Sequence, residues 1–198
     1  MTEILRPPQS HAVDSAAAMA EPITDPAEAP DFRVVYEAQF NYVYHTLRRL
    51  GIADRDLEDL LHEVFIAFYR GLATYDPRRP LKPWLFGIAF RVASDWRRRA
   101  QNRYEVPGDK QELVADTAPA ADEQVAARQR RELVMAALET LDLDRRAVFV
   151  MHDIDGHSMP EIAQVLSVPL NTLYSRLRLA RTEFAQAVKR DQLRRGGR

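Results

Sequence analysis

The chain has 198 residues, 28 Lys and Arg against 29 Asp and Glu, and no cysteine. Without thiols, disulfides, thiolate zinc sites and thiol redox sensing are excluded, and the composition is compatible with a cytoplasmic address. No run of about 18 apolar residues exists to span a membrane, and the N-terminus lacks the basic start and apolar core of a signal peptide.

Charge is unevenly spread. Residues 1–30 hold one Arg and five acids, and residues 103–126 hold two bases and six acids, whereas 31–102 and 127–198 each carry a modest positive excess. An excess this small favours nucleic-acid binding only slightly. Residues 1–30, rich in Pro, Ala and acids without sustained periodicity, read as a disordered extension.

The first basic block predicts three helices. Residues 32–50 place Val35, Phe40, Val43 and Leu47 on one face, and Gly51 supplies a C-terminal stop. Residues 54–73 carry an apolar stripe from Leu57 to Leu72 at three- and four-residue spacing, with Asp56, Glu58, Asp59 and Glu63 on the solvent side. Pro77 and Pro80 break the chain, and Pro83 is tolerated in the first turn of a third helix over 81–100. That helix buries Leu81, Leu85, Ile88, Val92 and Trp96 on the helical wheel. Phe86 and Phe90 fall off this face on one side and Trp84 on the other, beside Arg91, Arg97, Arg98 and Arg99. Exposed aromatics among arginines suit a single nucleic-acid strand, which needs stacking platforms in a cationic groove. Packing of Phe86 and Phe90 beneath another part of the block is the competing expectation. The acidic rim of the second helix and the Arg-rich third helix would then form two separate surfaces, one for protein and one for DNA.

Residues 104–121, with Pro107, Gly108 and Pro119 among acids, read as a linker. Beyond it the pattern predicts helices over about 122–141, 144–153, 159–166 and 170–189. No segment alternates as a strand does. The fold class is therefore all-α: two small helical domains joined by a flexible acidic linker.

Ser158-Met159-Pro160-Glu161 fits a capping box. The short helix it opens buries Ile162, Ala163 and Leu166, and Ser167-Val168-Pro169 makes the turn into the last helix. There Leu170, Leu173, Leu177, Ala180, Phe184 and Val188 share one sector of the wheel. Asn171, Ser175, Arg178, Leu179 and Thr182 lie opposite, flanked by Tyr174 and Arg181 on one side and Thr172 and Arg176 on the other. This is the pattern of a helix-turn-helix, whose second helix offers its N-terminal residues to base edges in the major groove. Arg and Asn make bidentate base contacts, while flanking Arg, Ser and Thr suit phosphates. A merely amphipathic helix with a solvated polar face is the bland alternative.

His152-Asp153-Ile154-Asp155-Gly156-His157 has metal-friendly residue types but neither the calcium-loop pattern nor a zinc-helix spacing. No metal or other cofactor is expected. No phosphate loop, nucleophile elbow or triad is visible, so the chain does not read as an enzyme.

Together these segments resemble the extracytoplasmic-function (ECF) sigma factors of the sigma-70 family, over about 31–189. Asp59-Leu60-Leu61-His62-Glu63-Val64-Phe65 resembles the family's signature for docking polymerase. Lys82-Pro83-Trp84-Leu85-Phe86-Gly87-Ile88-Ala89 with Asp95-Trp96-Arg97-Arg98-Arg99 resembles the helix that opens and reads the −10 element, and Glu161-Ile162-Ala163 with Pro169 to Ser175-Arg176-Leu177 and Ala180-Arg181 the helix-turn-helix that reads the −35 element. The resemblance implies region 2 over 31–102, a linker over 103–125, region 4 over 126–190 and a basic tail over 191–198. It implies that Asp56, Asp59, Leu60, His62, Glu63 and Phe65 bind the clamp helices of the β′ subunit, with region 4 near the flap of the β subunit. Trp84, Phe86, Phe90, Arg91, Arg97 and Arg98 would serve the −10 element. Tyr174, Ser175, Arg178 and Leu179 fall on the −35 base readers, with Asn171, Thr172, Arg176 and Arg181 around them.

Partners so implied are core RNA polymerase, promoter DNA and an anti-sigma factor, which would hold a cytoplasmic protein at the inner membrane if membrane-bound itself. Departures are Tyr174 where Lys or Arg is common, Asn171 and Ser167 where Gly is common, and Phe90-Arg91 where Arg-Asn is common. A stand-alone helix-turn-helix regulator is the alternative, and a helical adaptor without DNA a further one. The first leaves block one without a task, and the second leaves the Arg cluster unexplained.

Overall fold

The structure is a computed structural model and describes residues 31–103 and 122–196. The expectations for 1–30 and for the linker over 104–121 lie outside the described residues. Among the described residues seven α-helices follow in chain order: α1 (Phe32–Arg49), α2 (Asp54–Gly71), α3 (Leu81–Arg103), α4 (Asp122–Glu139), α5 (Leu143–Phe149), α6 (Met159–Leu166) and α7 (Leu170–Gly196). No strand occurs among the described residues.

Local chemistry accounts for the boundaries. Asp31 caps α1 by accepting from the Arg33 amide at 2.8 Å, and Asp142 caps α5 through the Arg145 amide at 2.8 Å. Gly51, at φ +86°, turns the chain from α1 into α2. The capping box at α6 is present: the Ser158 amide donates to Glu161 Oε2 at 2.8 Å, and the Glu161 amide reaches Ser158 Oγ at a longer 3.5 Å. α7 runs to Gly196 rather than ending at 189, so most of the expected basic tail is helical. Its residues from Arg190 to Arg195 include no helix breaker.

One element departs from the sequence pattern. The helix expected over 144–153 is α-helical only to Phe149, then widens into a π-helical turn over Val150–Ile154. The Asp155 amide closes this turn on the Val150 carbonyl at 2.9 Å, and the His157 amide reaches the Met151 carbonyl at 2.9 Å. Apolar periodicity is too coarse to report one extra residue in a turn.

α1, α2 and α3 pack on one another, and α5 and α6 pack on α7. Each group has the core the wheels predict: Leu47, Leu61, Val64 and Phe68 in the first, Val148, Ile162, Leu173 and Leu177 in the second. These cores are not separate. α3 also packs against α6, and the buried side chains of both groups form one continuous cluster. At the crossing, a Cβ on Gly87 would lie 2.9 Å from Val165 Cγ1, so only glycine lets the two helices approach this closely. Each block alone is small for an independent core, and mutual packing enlarges both.

Ser167 ends α6 in the left-handed region at φ 54°, ψ 44°. That conformation costs a residue with a Cβ roughly 1 kcal/mol, partly offset by the greater unfolded-state entropy of glycine. Ser167→Gly is therefore expected to raise the melting temperature by about 1–3 °C, read by circular dichroism; a lower melting temperature would show that the serine hydroxyl matters more than the backbone.

Candidate nucleic-acid and polymerase interface

The helix-turn-helix stands on a buried stripe of α7: Leu173, Leu177 and Ala180 are at most 4 % exposed. Phe184 stacks on Phe149 of α5 with centroids 4.6 Å apart. Leu170, expected in the core, is 41 % exposed as the first residue of α7. Asn171, Thr172, Tyr174, Ser175, Arg178 and Leu179 all face solvent, so the predicted reading face is free.

Its arginines are not equivalent. Arg176 is half-buried and donates to Asp144 of α5 at 2.6 Å. Arg181 makes a bidentate pair with Asp153 of the π turn, at 2.8 and 2.6 Å. Arg145 reaches across to Glu183, a further tie between α5 and α7. Arg178 is exposed and enters no ion pair among the described residues. Thus Arg176 and Arg181 brace the helix, while Arg178 is available to a ligand without breaking a contact. Sequence reasoning grouped all three, because the acids that separate them come from other elements.

The π turn also explains the metal-friendly segment. Asp153 is occupied by Arg181, and Asp155 accepts from Tyr42 and Arg49 of α1, each at 3.1 Å.

Phe86, expected off the core face, is completely buried, and Phe90 is half-buried against the core. The reason is that α3 is packed by α1, α2 and α6, so its buried arc extends through Phe86, Ala89 and Ala93. Arg97, expected toward DNA, donates to the Leu50 carbonyl at 2.9 Å and so fastens α3 to the α1–α2 turn. Burial pushes its pKa below the ordinary arginine value. Arg98 is exposed and pairs with Asp95 at 2.8 Å.

What α3 does offer is a cleft of about 210 Å³ lined by Tyr75, Trp84, Gly87 and Arg91, with Arg79 at its edge and Glu161, Gln164 and Val165 of α6 on its far wall. Tyr75 and Trp84 are stacked, with centroids 4.6 Å apart and planes 23° from parallel, and Trp84 also touches Phe68 at 5.2 Å. Tyr75 escaped notice because it sits in the Pro-rich connection before α3, where no periodicity marks it.

On α2, Asp59, His62 and Glu63 are exposed and Asp56 is half-buried, whereas Leu60 and Phe65 are 1 % and 2 % exposed. The last two hold the helix in place, although Leu60 reaches the floor of a second cleft of about 310 Å³. Asp56, Asp59, Glu63, Trp96 and Arg99 line that cleft. Trp96, placed in the core by the wheel, is half-buried there. Arg99 donates to Glu63 at 3.2 Å, so the acidic and Arg-rich surfaces adjoin rather than stand apart.

Residues 35–103 match the Sigma-70 region 2 family and residues 131–184 match Sigma-70, region 4. The chain is 32 % identical over 151 residues to the RNA polymerase sigma factor CnrH of Cupriavidus metallidurans, covering 73 % of this chain and 79 % of that one. It is 32 % identical over 140 residues to the ECF RNA polymerase sigma factor SigX of Bacillus subtilis, covering 68 % and 72 %. The chain belongs to the ECF sigma factors of the sigma-70 family.

Among solved structures, CnrH in complex with the cytosolic domain of CnrY is similar at a TM-score of 0.58 and 25 % identity, over 83 % of this chain and 94 % of that one. The sigma factor RpoE of Bartonella quintana, in complex with the anti-sigma factor NepR, shares the fold at a TM-score of 0.63, with 20 % identity over 80 % and 97 %. As a member of this family the sigma factor binds core RNA polymerase and directs promoter recognition in transcription initiation. The region 2 match gives the first block the task that a stand-alone regulator would leave it without.

Two carboxyls in and beside the helix-turn-helix lie below the ordinary range: Asp153 of the π turn through the hydrogen bonds from Arg181, and Glu161 of α6 through those from Ser158. Folding therefore favours their ionised forms. This stabilisation is complete above the ordinary carboxylate pKa of about 4 and is lost as pH falls through the lower folded values. Asp153→Asn is expected to be less stable than the parent at neutral pH and to lose less stability between about pH 4 and pH 2, followed by urea titration at each pH. Phe86→Ala should cost about 3–5 kcal/mol of stability; a loss of promoter opening with stability intact would restore it to the DNA surface.

Proposed function

We propose that the sigma factor reads a promoter in two halves, region 2 over 31–102 and region 4 over 126–190, by binding and without catalysis. The observation that carries this is the α7 face of Tyr174, Ser175, Arg178 and Leu179, which is exposed opposite a buried stripe and holds one arginine without an ion pair among the described residues. Arg178 and Ser175 would contact base edges in the major groove of the −35 element, with Asn171 and Thr172 around them at the groove edge. Tyr174 and Leu179 offer apolar contact to thymine methyls, where a Lys or Arg at 174 would offer charge.

In region 2 the cleft beside α3 suits a base flipped from the non-template strand. Half-buried Trp84, backed by the buried Tyr75 ring stacked on it, would supply an aromatic platform, and the exposed Arg91 and Arg79 positive charge. Flipping costs a few kcal/mol of lost stacking, which such a platform returns. Asp56, Asp59 and Glu63, around the second cleft, with exposed His62 on the same helix, would meet the β′ clamp helices, and region 4 would lie near the β flap. No helix among the described residues is long and apolar enough to cross a membrane, and the reading places the sigma factor in the cytoplasm. An anti-sigma partner is part of it, since a structural neighbour, RpoE, is found in complex with the anti-sigma factor NepR.

Reconstitution with core polymerase on a genomic library, with transcripts mapped, tests the whole reading; no core binding and no discrete start sites would end it. Arg178→Ala is expected to weaken −35 binding by about 10- to 100-fold, with relaxed preference at one position. An equal loss on every sequence would make Arg178 a phosphate contact. Trp84→Ala should reduce open-complex formation on duplex promoters far more than on a pre-melted bubble, as measured by permanganate footprinting.

A further inference from the structure

The cleft beside α3 holds a fixed ring at one end and a guanidinium at the other. The Trp84 indole is held from several sides: Tyr75 is stacked on it, Phe68 lies 5.2 Å away, and a Cβ on Gly71 would come 3.0 Å from its Cζ2. Trp84, Gly87 and Arg91 stand at i, i+3 and i+7 and so share one face of α3, with about 10.5 Å of rise between the first Cα and the last. Gly87 adds no side chain of its own to the interval between them.

Hydrogen-bonding capacity in this cleft is lopsided. Its carboxylates are engaged: Asp76 accepts from the Arg78 amide and Nε, both at 3.0 Å, and Glu161 on the α6 wall accepts from the Ser158 amide and hydroxyl at 2.8 and 2.7 Å. Thr74 and Tyr75 donate their hydroxyls to the Gly71 and Arg79 carbonyls. Arg79 Nε lies 3.8 Å from Asp76. Arg91 enters no hydrogen bond or ion pair among the described residues; Asp95, one turn on, pairs with Arg98 at 2.8 Å. Gln164, whose amide both donates and accepts, favours neither kind of base edge. An entering base therefore meets the exposed fork of Arg91, which has donors and no acceptor.

We propose that the base captured by this cleft is guanine, selected by Arg91. This choice of base rests on the flipped-base reading above. Guanine sets two acceptors, O6 and N7, side by side, and a guanidinium meets both at once. Adenine puts its N6 amino donor beside N7, so one arm of the fork would face a donor. Thymine offers O4 beside a methyl group. Cytosine can turn O2 and N3 toward the fork, but its single ring covers less of the indole than a purine does. Trp84 sets where the base lies, and Arg91, two turns along the helix, decides which base stays.

The test uses holoenzyme reconstituted from the full chain and core polymerase, with short single-stranded DNA of randomised sequence as the probe. Strands retained by the parent are expected to share a motif with one near-invariant guanine. Replacing that guanine by 7-deazaguanine, which lacks the N7 acceptor, should weaken binding about tenfold. Arg91→Lys keeps the charge but loses the fork, and should abolish the preference for guanine over adenine while binding other strands almost as the parent does. Arg91→Ala should lose the preference and weaken binding to every strand. A different base at the position that depends on Trp84 overturns the proposal, as does a selection without any preferred base. So does a guanine preference that survives both Arg91 variants, or one indifferent to 7-deazaguanine. Trp84→Ala separates this proposal from the reading beneath it. A motif unchanged in Trp84→Ala means that no base enters the cleft, and both fall; a preference lost in Trp84→Ala but directed at another base removes the assignment of guanine alone.

Discussion

Between Val150 and Ile154 the helix begun by α5 takes on the wider π turn, and that change directs two carboxylates. Asp153 meets Arg181 on the reading helix, and Asp155 meets Tyr42 and Arg49 on the first helix of the other region. A regular α-helix through this stretch would rotate the following residues by about 100° for the residue it omits, and neither pair would form as seen. The helix-turn-helix bracing and the contact between regions thus share one local backbone choice. A π turn forgoes ideal hydrogen bonding, and such turns recur where a side chain must be re-aimed for a function.

Arginine serves three different ends in this sigma factor. Arg97 and Arg146 are drawn inward, one satisfying the Leu50 carbonyl and the other the Leu141 carbonyl at 3.1 Å. Arg176 and Arg181 are tied to acids and stiffen the reading helix. Arg178 and Arg91 remain accessible. A guanidinium that has spent its charge on a carboxylate offers DNA less than one that has not, because the pair must be broken or shared. Counting arginines on a helical wheel therefore overstates the binding surface, and the structure narrows it.

Much was legible from the residues. The stripe of Leu57, Leu60, Leu61, Val64, Phe65 and Phe68, the capping box at Ser158, and the free face of Ser175 and Arg178 all emerged where periodicity placed them. These features are local, set by the next turn of the same helix. Phe86 and Arg97 were misplaced because a wheel assumes one packing partner. α3 has three, so a residue on its nominal outer face is covered by another helix. Tyr75 was missed for the opposite reason, since an irregular connection has no period to betray it.

By itself the sequence determined the all-α class and the order of the seven α-helices of the described residues, through the spacing of apolar residues, caps and breakers along a single stretch of chain. The family followed from its motifs, each of which is likewise a short run of neighbouring residues. Only the tertiary structure decided which arginines are free, where an aromatic cleft opens, and that the two regions share one core. Those depend on residues more than a hundred positions apart, such as Tyr42 and Asp155, whose meeting is set by how the helices cross and is written in no local pattern.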